Sequence, residues 1–295
     1  MNIKKQALII TAYQNGRMLE NNLRLFSKYF YCYVHIDKKS ELSNGEYLSR
    51  LNQIQGVYAI SKYKINWGSY LHMMAIIDLL KMAYKNIAIQ RFHIISGEDF
   101  PIKSYNEFVS FFEEENSDKN YIELTNITDM PVVKLRYEKY HFLHIVNRKS
   151  KNLLIQFIDK VIRQIQYHLP FKRNIRFDYK GLIWGSITRE AVKGVFDYLT
   201  SEMLKSLKYC EISEEFVLQN SLMESKLAKT VVGNNMRYAN WEGNITGPKV
   251  LTINELDSIR NSDAFFARKI QQNEDNFLIN ELYLELRRNW VNQES

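Results

Sequence analysis

The stretch FHIISGEDFPIKS, residues 92–104, decides the fold because it joins an apolar run to a polar turn. Its apolar residues up to Ile95 predict a strand. The strand ends in a turn that carries the adjacent carboxylates of Glu98 and Asp99, followed by Pro101. The question it raises is whether these two acids hold a metal ion or serve another purpose.

Upstream of this stretch, strand and helix patterns alternate along the chain. Strands are predicted over residues 7–11, 31–36 and 57–61, and helices over residues 17–30 and 69–85. Together with the strand that precedes the turn, the predicted order is β-α-β-β-α-β. This order is typical of the first half of an open α/β sheet. Ligands of such sheets gather at the carboxyl ends of the strands, where the quoted turn lies.

Downstream, the patterns predict one more strand and several helices. The strand is buried and covers residues 181–187, and an amphipathic helix covers residues 153–167. Further helices are predicted over residues 189–207, 216–227, 253–259 and 277–290, the last of which either closes the domain or meets a partner. Proline is scarce and no Gly/Ser-rich linker occurs, so we expect one continuous domain over residues 1–295.

The composition is that of a globular protein, with 45% hydrophobic and 25% charged residues among 295. No apolar run approaches the length of a membrane span, and the first residues indicate a strand rather than a signal peptide. Only Cys32 and Cys210 are present, which favours a reducing cytoplasm and no disulfide.

The positive charge is local. Residues 134–176 hold eleven Lys and Arg against two acidic residues, a net charge of +9 within a chain of net charge +7. Together with the amphipathic helix, this segment suits peripheral contact with an anionic membrane or a lipid-linked acceptor. A solvated basic face is the alternative. No nucleic-acid-binding motif accompanies the charge, so no nucleic acid partner is expected.

The Glu98–Asp99 pair has the wrong spacing for a metal chelate. Successive side chains of an extended chain point to opposite faces, so adjacent acids do not both meet one small ion. Gly97 permits close approach of a ligand to the backbone. The turn therefore either lines a donor site or simply leads into the next helix.

Two other stretches place carboxylates where chemistry could occur. Asp37 ends the strand YVHID and could accept hydrogen bonds from a nucleoside, or be a plain turn acid. The segment CEISEEFV, residues 210–217, gathers acids that either complement a helix dipole or raise one pKa towards that of a general base. No phosphate loop, nucleophile elbow or Cys/His metal spacing is present in the sequence.

Seven blocks in this order resemble the core-2/I-branching β-1,6-N-acetylglucosaminyltransferases of glycosyltransferase family 14, which also includes the protein xylosyltransferases. The blocks are YVHIDKKS, SKYKINWGSY, FHIISGEDFPIKS, GLIWGSITREAV, CEISEEFVLQNSL, MRYANW and SDAFFARKI. With the first strand they span about residues 7–270. Each block is weak alone, but seven in order are fairly specific.

This resemblance implies a GT-A type nucleotide-sugar fold, an open, mostly parallel mixed sheet flanked by helices. It implies a nucleotide-binding half at 1–115, an acceptor and catalytic half at 116–270, and a C-terminal helix at 271–295. It also implies inverting transfer without a metal or other cofactor. By position, Glu215 corresponds to the catalytic base, and Arg237 and Lys269 to two cations that bind the UDP diphosphate. The donor site would hold Asp37, Gly97, Glu98 and Asp99, and the acceptor side Glu123, Arg136, Lys139 and Trp184.

The chain departs from the family pattern at several positions. Ser213 and Glu214 replace the Pro-Asp before the base, Leu182 and Ile183 stand where polar residues are frequent, and the first strand lacks a usual histidine. The membrane anchor and disulfides of eukaryotic members are also missing. We therefore expect a bacterial cytoplasmic enzyme, at most peripheral at the inner face of the plasma membrane, that acts on a surface polysaccharide.

The expected reaction moves a sugar, first of all N-acetylglucosamine, from UDP to a hydroxyl group of a glycan or lipid-linked oligosaccharide. UDP-xylose, UDP-galactose or UDP-glucose on the same scaffold is the first alternative. A non-catalytic module that binds a membrane surface or nucleic acid is the second.

Overall fold

The computed structural model describes residues 4–142, 152–169, 172–242, 247–271 and 277–291. Its centre is a seven-stranded sheet of strand order β10-β6-β9-β4-β1-β2-β3. These strands are β1 Gln6–Ala12, β2 Tyr31–Ile36, β3 Val57–Ile60, β4 Arg91–Ser96, β6 Asn120–Ile122, β9 Gly185–Thr188 and β10 Val231–Val232. Two smaller sheets join β5 Phe100–Pro101 with β11 Arg237–Ala239 and β12 Phe266–Arg268, and β7 Thr125–Asn126 with β8 Tyr179–Lys180.

The first four strands run in parallel. Ile9 of β1 lies opposite Tyr33 of β2 on one side and Ile94 of β4 on the other, and β3 continues the parallel set beyond β2. Strand β9 is antiparallel to both β4 and β6, whereas β10 is parallel to β6. The carboxyl ends of β1 to β4 therefore meet at one edge. The predicted α/β class, an open mixed and mostly parallel sheet flanked by helices, is confirmed.

A helix over Gly45–Asn52 separates β2 from β3, so the predicted order β-α-β-β-α-β is wrong at this point. The helices are numbered in chain order. They are α1 Gly16–Phe26, α2 Gly45–Asn52, α3 Tyr70–Tyr84, α4 Tyr105–Val109, α5 Pro131–Glu138, α6 Leu153–His168, α7 Arg189–Tyr198, α8 Ser201–Leu207, α9 Glu214–Met223, α10 Leu256–Arg260 and α11 Leu278–Val291. A π-helical turn over Ser110–Glu115 continues α4. Within the described ranges, no helix is both long and apolar enough to cross a membrane.

Alternating side chains of β1 supply both hydrophobic cores. Leu8 and Ile10 point to the side covered by α1, α2 and α11, and Ala7 and Ile9 to the side covered by α3, α7 and α9. All four side chains are at most 2% exposed. Because both faces of the sheet are covered, polar groups are left to gather at its carboxyl edge.

The C-terminal helix closes the first of these cores. Trp290 is fully buried, its indole Nε1 donates a hydrogen bond to the carbonyl of Lys103 (3.1 Å), and its own carbonyl accepts one from the Tyr29 hydroxyl (2.8 Å). Of the two alternatives for the tail, α11 thus packs against the domain itself. Cys32 and Cys210 are buried free thiols.

Several of the sequence predictions are wrong in their bounds. The helices predicted over 17–30 and 216–227 end at Phe26 and Met223. The predicted strand over 181–187 begins only at Gly185, because the segment from Gly181 passes against Glu123, whose carbonyl oxygen would lie 2.0 Å from a Cβ on that glycine. The predicted single helix over 189–207 is two helices. The second is capped by Thr200, whose hydroxyl accepts a hydrogen bond from the Met203 amide (3.2 Å).

Candidate active site

A cleft of about 310 Å³ opens at the carboxyl ends of β1, β2 and β4. Parallel strands bring their ends to one edge, so residues far apart in sequence meet there. The lining side chains are those of Thr11, Ala12, Tyr13, Gln14, Asp37, Ile65, His72, Ser96, Gly97, Glu98 and Lys269. Four residues predicted for the donor site or the diphosphate are therefore together in one cleft: Asp37, Gly97, Glu98 and Lys269.

The two acids of the quoted turn point to different partners. Asp99 is 2% exposed, and its carboxylate accepts hydrogen bonds from the amide (2.9 Å) and the hydroxyl (2.9 Å) of Ser96. Glu98 lies at the cleft, where Oε1 accepts from Gln14 (2.8 Å) and Oε2 lies 3.1 Å from the ammonium group of Lys269. Asp99 thus closes the turn, and Glu98 alone of the pair lines the cleft.

Gly97 fits the turn because the turn presses against the end of β1. A Cβ on Gly97 would lie 2.9 Å from that of Ala12, closer than side chains pack, while the Gly97 amide donates to the Thr11 carbonyl (2.9 Å). Any larger residue would push the turn away from the strand. The glycine therefore brings the backbone to the cleft wall, as the sequence indicated.

Asp37 is held at the end of β2 by backbone amides. Its Oδ1 accepts hydrogen bonds from Lys39 (2.9 Å) and Ile65 (3.2 Å), which leaves Oδ2 with the Lys39 ammonium group at 3.9 Å. Two residues earlier, the buried ring of His35 accepts through Nε2 from the amides of Lys62 (3.2 Å) and Tyr63 (3.1 Å). Burial lowers the pKa of His35 to about 4, so the ring is neutral and can accept both bonds.

The cations named for the diphosphate lie at different depths. The Lys269 side chain is 29% exposed at the cleft rim, paired with Glu98. Its neighbour Arg268 is more deeply placed, with Nε 3.7 Å from the Asp99 carboxylate and its guanidinium 4.5 Å from the Trp184 ring centroid. Both Nε and Nη1 of Arg268 are buried without a hydrogen-bond partner among the described residues.

Arg237 lies beneath the sheet edge instead of lining the cleft. Its guanidinium donates hydrogen bonds to the Ser186 hydroxyl (2.8 Å) and to the carbonyls of Ile94 (3.1 Å) and Gly185 (2.7 Å). Burial lowers the pKa of Arg237 to about 9. The structure thus uses Arg237 to bind the backbones of β4 and β9, and does not bring it together with Lys269 at the rim.

A chain of polar contacts joins the cleft to the first turn of α9. His72 Nε2 lies 3.2 Å from the Thr11 hydroxyl, and His72 Nδ1 lies 3.3 Å from Glu214 Oε1. Glu214 is 7% exposed, and its Oε2 is buried with no hydrogen-bond partner in the described part of the chain. Trp184 contacts the same histidine edge-on, with ring centroids 5.9 Å apart.

Glu215 faces the other side of this turn. Its Oε2 forms an ion pair with Arg136 Nη1 at 2.9 Å, and both side chains are largely shielded, at 20% and 16% exposed. Glu123 is close enough that its pKa is raised, mainly by burial and in part by the Glu215 carboxylate. Gly181 allows this approach, because its amide donates to the Glu215 carbonyl (3.0 Å) in a space that admits no side chain.

The predicted acceptor-side residues therefore divide into two groups. Glu123 and Arg136 gather around Glu215, and Trp184 lies between His72 and Arg268. Lys139 lies farther out in a separate cavity of about 390 Å³ between α5 and α6, which Arg136 also lines.

Several cleft residues escaped the sequence prediction. Thr11, Gln14 and His72 line the cleft, and Arg268 stands behind it. The available signal was their position. Thr11 lies near the end of β1, His72 lies in the first turn of the helix that follows β3, and Arg268 adjoins Lys269. In the described ranges, no three His, Cys, Asp or Glu side chains are grouped as metal ligands would be.

Comparison with known proteins gives three findings. The profile of the Core-2/I-Branching enzyme family matches residues 7–260. Xylosyltransferase 1 of Mus musculus is 24% identical over 232 residues, which cover 74% of this chain and 22% of that protein, so the chain spans about a fifth of the length of this relative. A glucose-1-phosphate thymidylyltransferase structure from Bacillus anthracis with sucrose aligns over 77% of this chain and 85% of that one, at 11% identity and a TM-score of 0.37.

Proposed function

We propose, from the premise that this chain belongs to the Core-2/I-Branching enzyme family and is a glycosyltransferase, that it moves a sugar from a UDP donor to a hydroxyl group of a glycan acceptor. The observation that carries this proposal is the cleft at the carboxyl ends of β1, β2 and β4, linked through His72 and Glu214 to the helix turn that bears Glu215. A donor in the cleft would place its sugar towards that turn.

In this proposal the cleft binds the nucleotide part of the donor. Asp37 offers a carboxylate oxygen to the uracil or ribose, and the backbone at Gly97 forms a close wall. The ammonium group of Lys269 meets the diphosphate, exchanging its ion pair with Glu98 for one with the ligand. Glu98 then holds Lys269 in place in the absence of donor and flanks the donor sugar when it is bound.

Glu215 acts as the base in this proposal. It takes the proton of the acceptor hydroxyl as that oxygen attacks C1 of the donor sugar from the face opposite UDP. The new C1–O bond forms as the bond from C1 to the diphosphate oxygen breaks, so UDP leaves with the electron pair and the anomeric configuration inverts. The Arg136 guanidinium, 2.9 Å from the carboxylate of Glu215, holds this base in position.

We propose that fixed cations, and no metal ion, stabilise the departing diphosphate. Preorganised positive groups stabilise charge that develops in a transition state without reorganisation at the moment of reaction. Lys269 makes the contact, and Arg268 adds positive charge from behind it. Arg237, committed to the backbones of β4 and β9, contributes by fixing the strand ends that shape the cleft.

The donor sugar proposed first is N-acetylglucosamine. The likeness to a xylosyltransferase favours UDP-xylose as the second candidate, and UDP-galactose and UDP-glucose are compatible with the same nucleotide contacts. For the acceptor we propose a glycan or lipid-linked oligosaccharide of a bacterial surface polysaccharide, used on the cytoplasmic side of the membrane.

The decisive experiment measures UDP release from a panel of UDP-sugars in the presence of EDTA. We expect turnover with one donor and no gain on adding Mn²⁺ or Mg²⁺. Activity that appears only with added metal would contradict the role given to Lys269 and Arg268. UDP affinity by calorimetry, with Lys269→Gln compared with the exposed Lys193→Gln, tests the diphosphate contact separately; we expect a loss of about 10–100-fold in the first variant and none in the second.

A further inference from the structure

Helix α6 exposes its apolar side. Among the described residues, twelve of the twenty exposed large hydrophobic side chains lie within residues 130–169. Those on one face of α6 are spaced by three or four residues, so they form a stripe along the helix. They are Leu154 (65% exposed), Phe157 (64%), Ile158 (49%), Val161 (39%) and Ile165 (55%), which we call the α6 stripe.

The stripe is distinct from the side by which α6 is attached to the domain. The half-buried residues Ile155, Ile162 and Gln166 lie on an adjoining side of the helix. The Gln166 amide group bonds to both the amide (2.7 Å) and the carbonyl (2.9 Å) of Tyr140. The helix is therefore held against the segment that follows α5, with its apolar stripe directed away.

The segment that carries this surface is positively charged. The segment 134–176 carries a net charge of +9, while the rest of the chain sums to −2. Lys160 on the helix is exposed, and the side chains of Lys172 and Arg176 just after it are 67% and 79% exposed. Their ion pairs with Glu138 and Asp178 are at the surface, where such pairs contribute little and leave the net charge in place.

This combination disfavours a second copy of the chain as the occupant. Two copies that meet through the stripe would bring two segments of charge +9 together, and like charges across an interface oppose association. A surface that is apolar and also anionic satisfies both features. An anionic bilayer is such a surface, since an amphipathic helix buries its apolar face at the headgroup boundary while nearby Lys and Arg meet anionic lipids.

We propose that the α6 stripe docks the protein on an anionic membrane surface. The helix lies in the plane of the membrane, with Phe157 and its neighbours below the headgroups and Lys160 at headgroup level. With 16 residues, α6 is an interfacial element and does not span the bilayer.

The docking surface adjoins the acceptor side of the active site. The cavity of about 390 Å³ between α5 and α6 is lined by Arg136, whose guanidinium holds Glu215, and by Tyr167 of α6. A membrane-bound protein would thus present this cavity near the headgroups, where a lipid-linked acceptor is anchored. The role of docking in acceptor access rests on the proposed glycosyl transfer, whereas the docking itself does not.

The test is co-sedimentation of the full chain with vesicles of phosphatidylcholine, with and without phosphatidylglycerol. We expect binding to the anionic vesicles that weakens as NaCl is raised, because counterions screen the basic segment. Leu154→Glu combined with Phe157→Glu should lower the partition coefficient at least about tenfold. The control is Ile87→Glu, which changes a side chain 81% exposed outside this surface and should bind like the wild type.

Three results would overturn the proposal: absence of wild-type binding to anionic vesicles, binding that the double variant retains, or a dimer seen by light scattering that the double variant abolishes. The last would assign the stripe to a second copy. UDP affinity measured on the same samples without vesicles reports on the donor site alone. A variant that binds UDP but not vesicles therefore supports the docking, and a wild type that binds vesicles but not UDP contradicts only the proposed transfer.

Discussion

Two pairs of adjacent acids lie at the site, Glu98–Asp99 after β4 and Glu214–Glu215 at the start of α9, and the structure holds them differently. In the turn, Asp99 is bound by the amide and hydroxyl of Ser96. On the helix, by contrast, Glu214 has one oxygen against His72 and one with no partner among the described residues, and Glu215 faces a single guanidinium.

The difference distinguishes a carboxylate that holds the chain from one that is available for chemistry. A buried acid whose oxygens accept from its own turn, such as Asp99, stabilises the fold, and its loss leaves unpaired donors. An acid whose partners are side chains from other segments can exchange them for a substrate. We therefore expect the turn acid to affect stability and the helix acids to affect turnover.

The largest expected effect is that of Glu215→Gln. Loss of a general base lowers kcat by roughly 10²–10⁴, whereas Glu214→Gln, which acts only through His72, should lower it by about tenfold. Transfer rates measured by UDP release at saturating donor give both values. The exposed Glu202→Gln on α8 is the matched control and should leave kcat unchanged. Equal losses in the two helix variants would remove the distinction between Glu214 and Glu215.

Asp99→Ala should act on stability instead. The change leaves the Ser96 amide and hydroxyl without acceptors and Arg268 without its nearest carboxylate, which we expect to cost about 2–4 kcal/mol of unfolding free energy. Urea denaturation measures this change. Asp118→Ala, on a carboxylate 64% exposed, should stay within about 0.5 kcal/mol. A turn variant as stable as the wild type would refute the structural role given to Asp99.

The smallest effect concerns His35, a buried ring whose Nε2 accepts hydrogen bonds from two backbone amides. Burial lowers its folded pKa to about 4, whereas an unfolded histidine titrates near 6.5. Between these values the unfolded chain binds the proton and the folded chain does not. Stability supported by neutral His35 is thus fully present above about pH 6.5 and is lost as pH falls to about 4, by at most about 3 kcal/mol.

Urea midpoints measured across this range in His35→Gln and in His168→Gln test the point. We expect the stability curve of His35→Gln to be flatter between pH 4 and 6.5 than that of the wild type. His168 is exposed on α6, so its variant should keep the wild-type slope. An unchanged slope in His35→Gln would show that other groups cause the acid sensitivity.

Local patterns along the chain predicted most of the secondary structure. The helix expected over 69–85 occurs at Tyr70–Tyr84, and the strand of the quoted stretch occurs at Arg91–Ser96. The error in the predicted start of β9 has a tertiary cause. Gly181 is held between Glu123 and α9, so the chain joins the central sheet only at Gly185. Pairing partners, which decide where a strand begins, are not encoded in its own periodicity.

The sequence by itself determined the α/β class, the family and the location of the site at the carboxyl ends of the first strands. Strand geometry is a local property, so it predicted that Glu98 and Asp99 do not both meet one ion. Both acids were nevertheless expected at the donor site, and the structure places only Glu98 at the cleft. Only the tertiary structure decided how deeply each side chain is buried and which groups it contacts. Arg237 is buried under β4 and β9, whereas Lys269 reaches the cleft. The apolar side of α6 faces outward. Burial depends on what packs against a residue from elsewhere in the chain, and no single segment contains that information.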